Sequence, residues 1–142
     1  MEEGLSDAQV FDAIGDEGPF YDLVDAFYAN VERDGVLRSL YPADLAPGKQ
    51  HLAWFLIQRF GGPDHFNQER GAPRLRMRHA PFAITPDQAR RWLDAMTAAL
   101  DSLPVFAPYR AVLARYFADS AVFLVNRESS DTLPLAAEDV RS

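Results

Sequence analysis

The chain has 142 residues, of which 48% are hydrophobic and 25% charged, and this size and composition are typical of one globular domain with a single sizeable core. A net charge of −7 argues against nucleic acid or an anionic membrane surface as a partner, because both need a surplus of Lys and Arg. The sequence has no apolar run near the ~20 residues that span a bilayer, and the absence of cysteine excludes disulfides and thiolate metal sites.

The first half of the chain has a helical hydrophobic pattern. It opens with MEEGLSDAQV, which has two acids and no basic, apolar signal segment, so we expect a cytoplasmic protein. Ser6 is a predicted N-cap for a short helix that ends at Gly15.

A second helix is predicted up to Gly35, because apolar residues recur at steps of three and four. These residues are Phe20, Leu23, Val24, Phe27, Tyr28 and Val31. Next come a tight turn or 3₁₀ corner over 36–45 and a third helix that stops before Gly61. The third helix has Leu52, Phe55 and Leu56 on its apolar face.

The second half is predicted to begin with an irregular stretch over 62–73 and a short segment over 74–80. Thr85, followed by a proline and an acid, predicts the start of a long helix. Its predicted inward residues are Ala89, Trp92, Leu93, Met96 and Leu100. A last helix is predicted to carry Tyr109, Val112, Leu113, Tyr116, Phe117, Ala121 and Leu124. We therefore predict an all-α fold in a single domain over 1–142, with a folded core over about 6–127 and a flexible tail over 128–142.

The most unusual local composition is RGAPRLRMRHAPF over 70–82, with four arginines and no acid in an acidic protein. In a short helix, Leu75 and His79 share one face and Arg74 and Arg78 share its edge. Haem requires such a combination, because it is an apolar macrocycle with an axial nitrogen ligand and two propionates that attract cations. From composition alone, a structural histidine and a solvated arginine face are the more common interpretation.

The motifs LYPADL (40–45), FLIQRFGGP (55–63), RGAPRLRMRHAPFAI (70–84) and WLDAM (92–96) together resemble the signature of the group II truncated haemoglobins. The resemblance runs from about residue 11 to 127, and several separated motifs agree in spacing and residue type. It implies a globin-like, truncated two-over-two helical sandwich around haem b.

The resemblance also implies roles for individual residues. His79 corresponds to the proximal ligand of the haem iron. Tyr28, Tyr41 and Trp92 correspond to a distal cage of hydrogen-bond donors that stabilises a bound O₂ carrying partial negative charge. Leu52 corresponds to the apolar residue above the iron, and Gly48 to the residue at the distal gate, where it places no side chain over the entrance.

Further residues are predicted to bind the cofactor. Arg74, Arg78 and His51 are predicted partners of the haem propionates, with His51 preferred in this role over a sixth iron ligand. The predicted apolar haem contacts are Leu75, Met77, Phe82 and Phe55. Two positions depart from the family pattern: Ala72 replaces a frequent histidine, and Phe66 replaces a tyrosine that can bind a propionate.

The predicted function is reversible binding of O₂, with CO and NO as other ligands. Two reactive versions stay open: a peroxidase, and an enzyme that converts NO to nitrate and needs a reductase partner. The alternative from another class is a haem-free helical module that binds a protein or an apolar ligand. The pattern does not distinguish a monomer from a homodimer, or oxygen transport from sensing.

Overall fold

A computed structural model of the protein describes residues 6–64 and 84–126, and all regular structure in these residues is helical. The α-helices of this part of the chain are α1 (Val10–Ile14), α2 (Gly18–Glu32), α3 (Gly35–Arg38), α4 (Ala46–Arg59), α5 (Pro86–Asp101) and α6 (Arg110–Asn126). Two 3₁₀ turns, Asp7–Gln9 and Pro104–Tyr109, precede α1 and α6. The all-α prediction is confirmed here, whereas most of the predicted loop over 62–73, the segment over 74–80 and the tail over 128–142 lie outside the described residues.

The helices form two packed pairs. Helix α2 packs against α4, and α5 packs against α6. The two pairs meet because α2 also packs along α5, and this is one of the most extensive helix contacts in the described structure. Helix α2 therefore lies at the centre of the fold and must be apolar toward two neighbours.

The sequence of α2 satisfies this requirement. Its six predicted apolar residues are all buried, and none is more than 3% exposed. At one end, Phe20 lies in edge contact with Phe106 and stacks against Phe60. Each buried side chain of this size contributes about 1.5–3 kcal/mol relative to an exposed one, so this face of α2 anchors the core.

Helix ends follow the predicted signals. At the first turn, the Ser6 N–H donates to the Gln9 side chain and the Gln9 N–H donates to the Ser6 carbonyl oxygen, and Gly15 ends α1 with a left-handed φ of 83°. At the start of α5, the Thr85 hydroxyl accepts a hydrogen bond from the Gln88 N–H and the Thr85 N–H donates to the Gln88 side chain, which is a reciprocal capping box. Local hydrogen-bonding chemistry therefore sets these boundaries.

Two details differ from the sequence prediction. The corner over 36–45 begins with one full helical turn, α3, because the Asp34 carboxylate accepts hydrogen bonds from the N–H groups of Val36 and Leu37. In α5, Leu93 is only half-buried. Two alanines, Ala95 and Ala99, are buried instead, which allows the neighbouring helices to approach α5 closely.

An ion-pair network connects α3 to α5. One nitrogen of the Arg91 guanidinium lies 3.1 Å from each oxygen of the Asp34 carboxylate, and its Nε lies 2.8 Å from Asp87. Burial acts to raise the pKa of Asp34, but the hydrogen bonds from Leu37, Arg91 and Val36 outweigh it, so the pKa of Asp34 lies below its ordinary 3.8. The hydrogen bond from Arg91 likewise lowers the pKa of Asp87.

The Gly61 backbone supplies a first prediction. Gly61 has a φ of 103°, and a Cβ added to it would lie 2.0 Å from the carbonyl oxygen of Ala8. We expect Gly61→Ala to lower the free energy of unfolding by about 1–3 kcal/mol or more, because strain and a steric clash act together. Thermal unfolding, monitored by circular dichroism, measures this loss of stability. Gly35→Ala is the control, since an added Cβ there meets nothing within 4 Å. Equal melting temperatures for the two variants would contradict the described contact.

The Asp34–Arg91 pair supplies a second prediction. Because the pKa of Asp34 is lowered in the fold, its carboxylate stabilises the protein above pH 3.8, and this contribution is lost as the pH falls through the folded-state pKa. Asp34→Asn keeps a capping oxygen but loses the charge. We expect it to be less stable than the parent at neutral pH, with the difference shrinking below pH 3.8. Asp119→Asn, which changes an exposed carboxylate, is the control. A difference that stays constant with pH would refute the ion-pair interpretation.

Candidate functional site

The predicted distal residues come from four parts of the fold and are all buried. Tyr28 belongs to α2, Tyr41 to the corner between α3 and α4, and Trp92 to α5. Their side chains are 3%, 8% and 3% exposed, respectively. On α4, Leu52 is 4% exposed and Gly48 is buried one turn earlier. The predicted set therefore lies in the interior.

The three predicted donors belong to one aromatic cluster, in which neighbouring rings meet edge to face. The rings of Tyr28 and Tyr41 have centroids 5.5 Å apart at 76°. Phe27 connects Tyr28, at 5.3 Å, to Trp92, at 6.0 Å. Trp92 also contacts Phe117 of α6 at 6.1 Å. Such edge-to-face pairs contribute about 0.5–1.5 kcal/mol each beyond the area they bury, so the cluster is rigidly packed.

Phe27 and Phe117 were not among the predicted site residues. Both occupy the apolar face of their helix, a pattern that indicates core packing and gives no further signal. Phe27 is fully buried and holds Tyr28 and Trp92 in a common cluster, so it positions both.

The indole N–H of Trp92 is the most informative polar group of the cluster. The side chain is 3% exposed, yet within residues 6–64 and 84–126 no acceptor lies within hydrogen-bond distance of its nitrogen. An indole N–H can only donate, and leaving a buried donor unpaired costs about 1–3 kcal/mol. A buried donor without an acceptor is suited to a ligand that brings one. The cluster therefore fits a ligand atom that carries partial negative charge.

The other tryptophan of the chain has a different environment. Trp54, on α4, donates its indole N–H to the hydroxyl oxygen of Tyr21 on α2 at 2.8 Å. The ring of His51 lies 6.4 Å from that of Trp54, centroid to centroid. His51 and Phe55 are both half-buried on α4. Their predicted contacts with haem stay predictions.

The proximal half of the predicted site falls outside the described residues. It comprises His79, Arg74, Arg78, Leu75, Met77 and Phe82. Elsewhere, in 6–64 and 84–126, no three His, Asp or Glu side chains are grouped so that they could hold a metal ion. Of the helices in these two ranges, none has both the length and the apolar character needed to cross a membrane.

Comparison with known proteins agrees with this arrangement. The family model of the bacterial-like globins matches residues 9–124. Group 2 truncated hemoglobin YjbI of Bacillus subtilis (strain 168) is 35% identical over 121 residues, which cover 85% of this chain and 91% of that protein.

Solved structures agree as well. The crystal structure of the hemoglobin from Chloroflexus aurantiacus is 50% identical, with a TM-score of 0.77, over 83% of this chain and 98% of that one. The group II truncated hemoglobin from Bacillus anthracis is 36% identical, with a TM-score of 0.75, over 88% and 94% of the two chains. The predicted two-over-two globin fold is thereby confirmed, and the chain belongs to the bacterial-like globins, in their group II truncated haemoglobin branch.

Proposed function

We propose that this truncated haemoglobin uses His79 as its iron ligand and the side chains of Tyr28, Tyr41 and Trp92 to retain O₂. Haem b as the cofactor and O₂ as the ligand follow from membership of the family, which gives no support to the haem-free alternative. The observation that carries the proposal for the distal side is the buried N–H of Trp92, which has no acceptor among the described residues and lies within a cluster that contains both tyrosines.

When bound, haem supplies an iron that takes a diatomic ligand and leaves partial negative charge on it. The protein side chains then act as hydrogen-bond partners. Trp92 can only donate, whereas the phenol hydroxyls of Tyr28 and Tyr41 donate or accept. A hydrogen bond to a charged acceptor contributes about 1.5–3 kcal/mol, which corresponds to about a ten- to hundredfold slower release of the ligand. The buried surroundings exclude water that would compete for these donors.

Two residues of α4 are proposed to shape access to the ligand. Leu52 is buried and apolar, so we place it against the ligand on the distal side. Gly48 lies one turn earlier and brings no side chain, which leaves space for a small diatomic molecule to enter.

The cofactor itself is proposed to be held by the segment around His79 in the sequence and by two residues of α4. Arg74, Arg78 and His51 are the proposed partners of the two propionates, since guanidinium groups bind carboxylates in a bidentate manner. Apolar contacts with the macrocycle are proposed for Leu75, Met77, Phe82 and Phe55.

We propose a single globin domain over 1–142, a cytoplasmic location and a role in oxygen transport or sensing. The family match over 9–124 supports the single domain. Binding of CO or NO, peroxide turnover and NO oxidation with a reductase stay predictions, as does the choice between monomer and homodimer.

The role of His79 can be tested by absorption spectroscopy. We expect the purified protein to show a Soret band that His79→Ala greatly weakens, because the axial nitrogen is lost, and that added imidazole restores. His65→Ala is the matched control and is expected to keep the band. An unchanged Soret band in His79→Ala would show that another residue binds the iron.

The role of Trp92 can be tested by stopped-flow measurement of O₂ release. We expect Trp92→Phe to release O₂ about ten- to hundredfold faster, because one donor to a charged acceptor is removed. The matched control is Trp54→Phe, whose indole N–H is already bound to Tyr21 and whose loss should leave the rate unchanged. If both variants release O₂ at the parent rate, Trp92 is a core residue and has no part in retaining the ligand.

A further inference from the structure

The corner that carries Tyr41 has little backbone support of its own. Seven residues, 39–45, connect α3 to α4 without regular structure. The N–H of Tyr41 donates to the carbonyl oxygen of Arg38 at 3.1 Å, and Pro42 has no N–H to donate. No backbone N–H of the described residues donates to the carbonyl oxygens of Tyr41, Pro42 or Ala43. Backbone carbonyls require partners, and a side chain can supply the donors.

The Arg38 side chain supplies them. One terminal nitrogen of its guanidinium donates to the carbonyl oxygens of Tyr41, at 3.3 Å, and Pro42, at 3.0 Å. The second terminal nitrogen donates to the carbonyl oxygen of Ala43 at 3.1 Å. A planar guanidinium presents its donors in a fixed fork, so three successive carbonyl oxygens on one cation define the path of the chain.

Arg38 is itself held in place. It ends α3, the single helical turn that Asp34 caps. The carboxylate of Asp34 is bound by Arg91 of α5, and Arg91 directly precedes Trp92 in the sequence. A continuous series of charged hydrogen bonds and one helical turn therefore links the helix that carries Trp92 to the corner that carries Tyr41.

We propose that Arg38 is a positioning residue, which fixes the Tyr41 backbone so that the Tyr41 hydroxyl takes up a defined place among the distal donors. This inference rests on the proposed function, since it assumes that Tyr41 acts on the bound ligand. Arg38 acts only through Tyr41. Hydrogen bonds weaken steeply when their distance or angle departs from the optimum. A small displacement of the corner would therefore weaken the hydrogen bond from the Tyr41 hydroxyl to the bound ligand.

The experiment compares Arg38→Met, Tyr41→Phe and the double variant in the haem-loaded protein. O₂ release is measured by stopped flow, and the C–O stretching frequency is measured with CO as the probe, because this frequency reports hydrogen-bond donors near the ligand. We expect Tyr41→Phe to speed O₂ release by about tenfold or more and to shift the C–O frequency. Arg38→Met is expected to speed O₂ release by about threefold or more and to shift the C–O frequency in the same direction as Tyr41→Phe does. In the Tyr41→Phe background, adding Arg38→Met is expected to change neither value.

Two further variants separate positioning from general stability. Arg33→Met removes an exposed guanidinium five residues earlier in the sequence, which donates to the side chain of Asn30, and it should leave the C–O frequency unchanged. Arg38→Lys keeps the charge but offers its donors from a single nitrogen, so it should restore part of the parent value and allows the test if Arg38→Met does not fold. Thermal unfolding of each loaded variant records any loss of stability separately.

The outcomes distinguish this inference from the proposed function. If Tyr41→Phe shifts both readouts and Arg38→Met shifts neither, Arg38 does not position the hydroxyl, while the role of Tyr41 stands. If Arg38→Met has the same effect with and without the Tyr41 hydroxyl, it acts by another route and the inference is wrong. If Tyr41→Phe changes nothing, the proposed role of Tyr41 fails, and the inference fails with it.

Discussion

The contact of Phe27 with Trp92 joins the two helix pairs of the fold at the place where the ligand site is proposed. Phe27 is fully buried on α2, and the two ring centroids lie 6.0 Å apart. Helix α2 also packs against α4, so this contact connects α5 to the pair formed by α2 and α4. The same contact brings Tyr28 into the cluster, since Tyr28 is the next residue of α2 and touches the ring of Phe27. Core packing and placement of the polar groups are therefore a single constraint in this protein, and a change that loosened Phe27 would displace donors on two helices.

The sequence predicted the helices well, because their determinants are local. Thr85, Pro86 and Gln88 specify the start of α5 through hydrogen bonds and a fixed φ within a single turn. The burial of α2 follows from the spacing of its apolar residues. The corner after Asp34 was less accessible, since one helical turn there depends on a cap and on an arginine 57 positions away in the sequence. No periodic pattern records such a long-range pair.

The candidate site was predictable to a different degree. The aromatic residues Tyr28, Tyr41 and Trp92 were identified by resemblance, and the structure buries all three. Their roles depend on what each polar atom faces, and a pattern of residue types does not contain that information. The three hydrogen bonds from Arg38 illustrate the limit. From sequence, Arg38 is one basic residue near a turn, and only the folded structure shows that its guanidinium lies against three carbonyl oxygens.

The two tryptophans show how this fold reconciles stability with ligand binding. Trp54 is half-buried, and its indole N–H donates to the Tyr21 hydroxyl, so it connects α4 to α2 without leaving its donor unpaired. Trp92 is more deeply buried, and its N–H has no acceptor among the described residues, which costs about 1–3 kcal/mol. Edge-to-face packing of its ring against Phe27 and Phe117, worth about 0.5–1.5 kcal/mol for each pair, offsets a similar amount. The apolar surroundings thus hold a donor that no residue of 6–64 or 84–126 satisfies, and an acceptor atom on a bound ligand would recover the missing hydrogen bond.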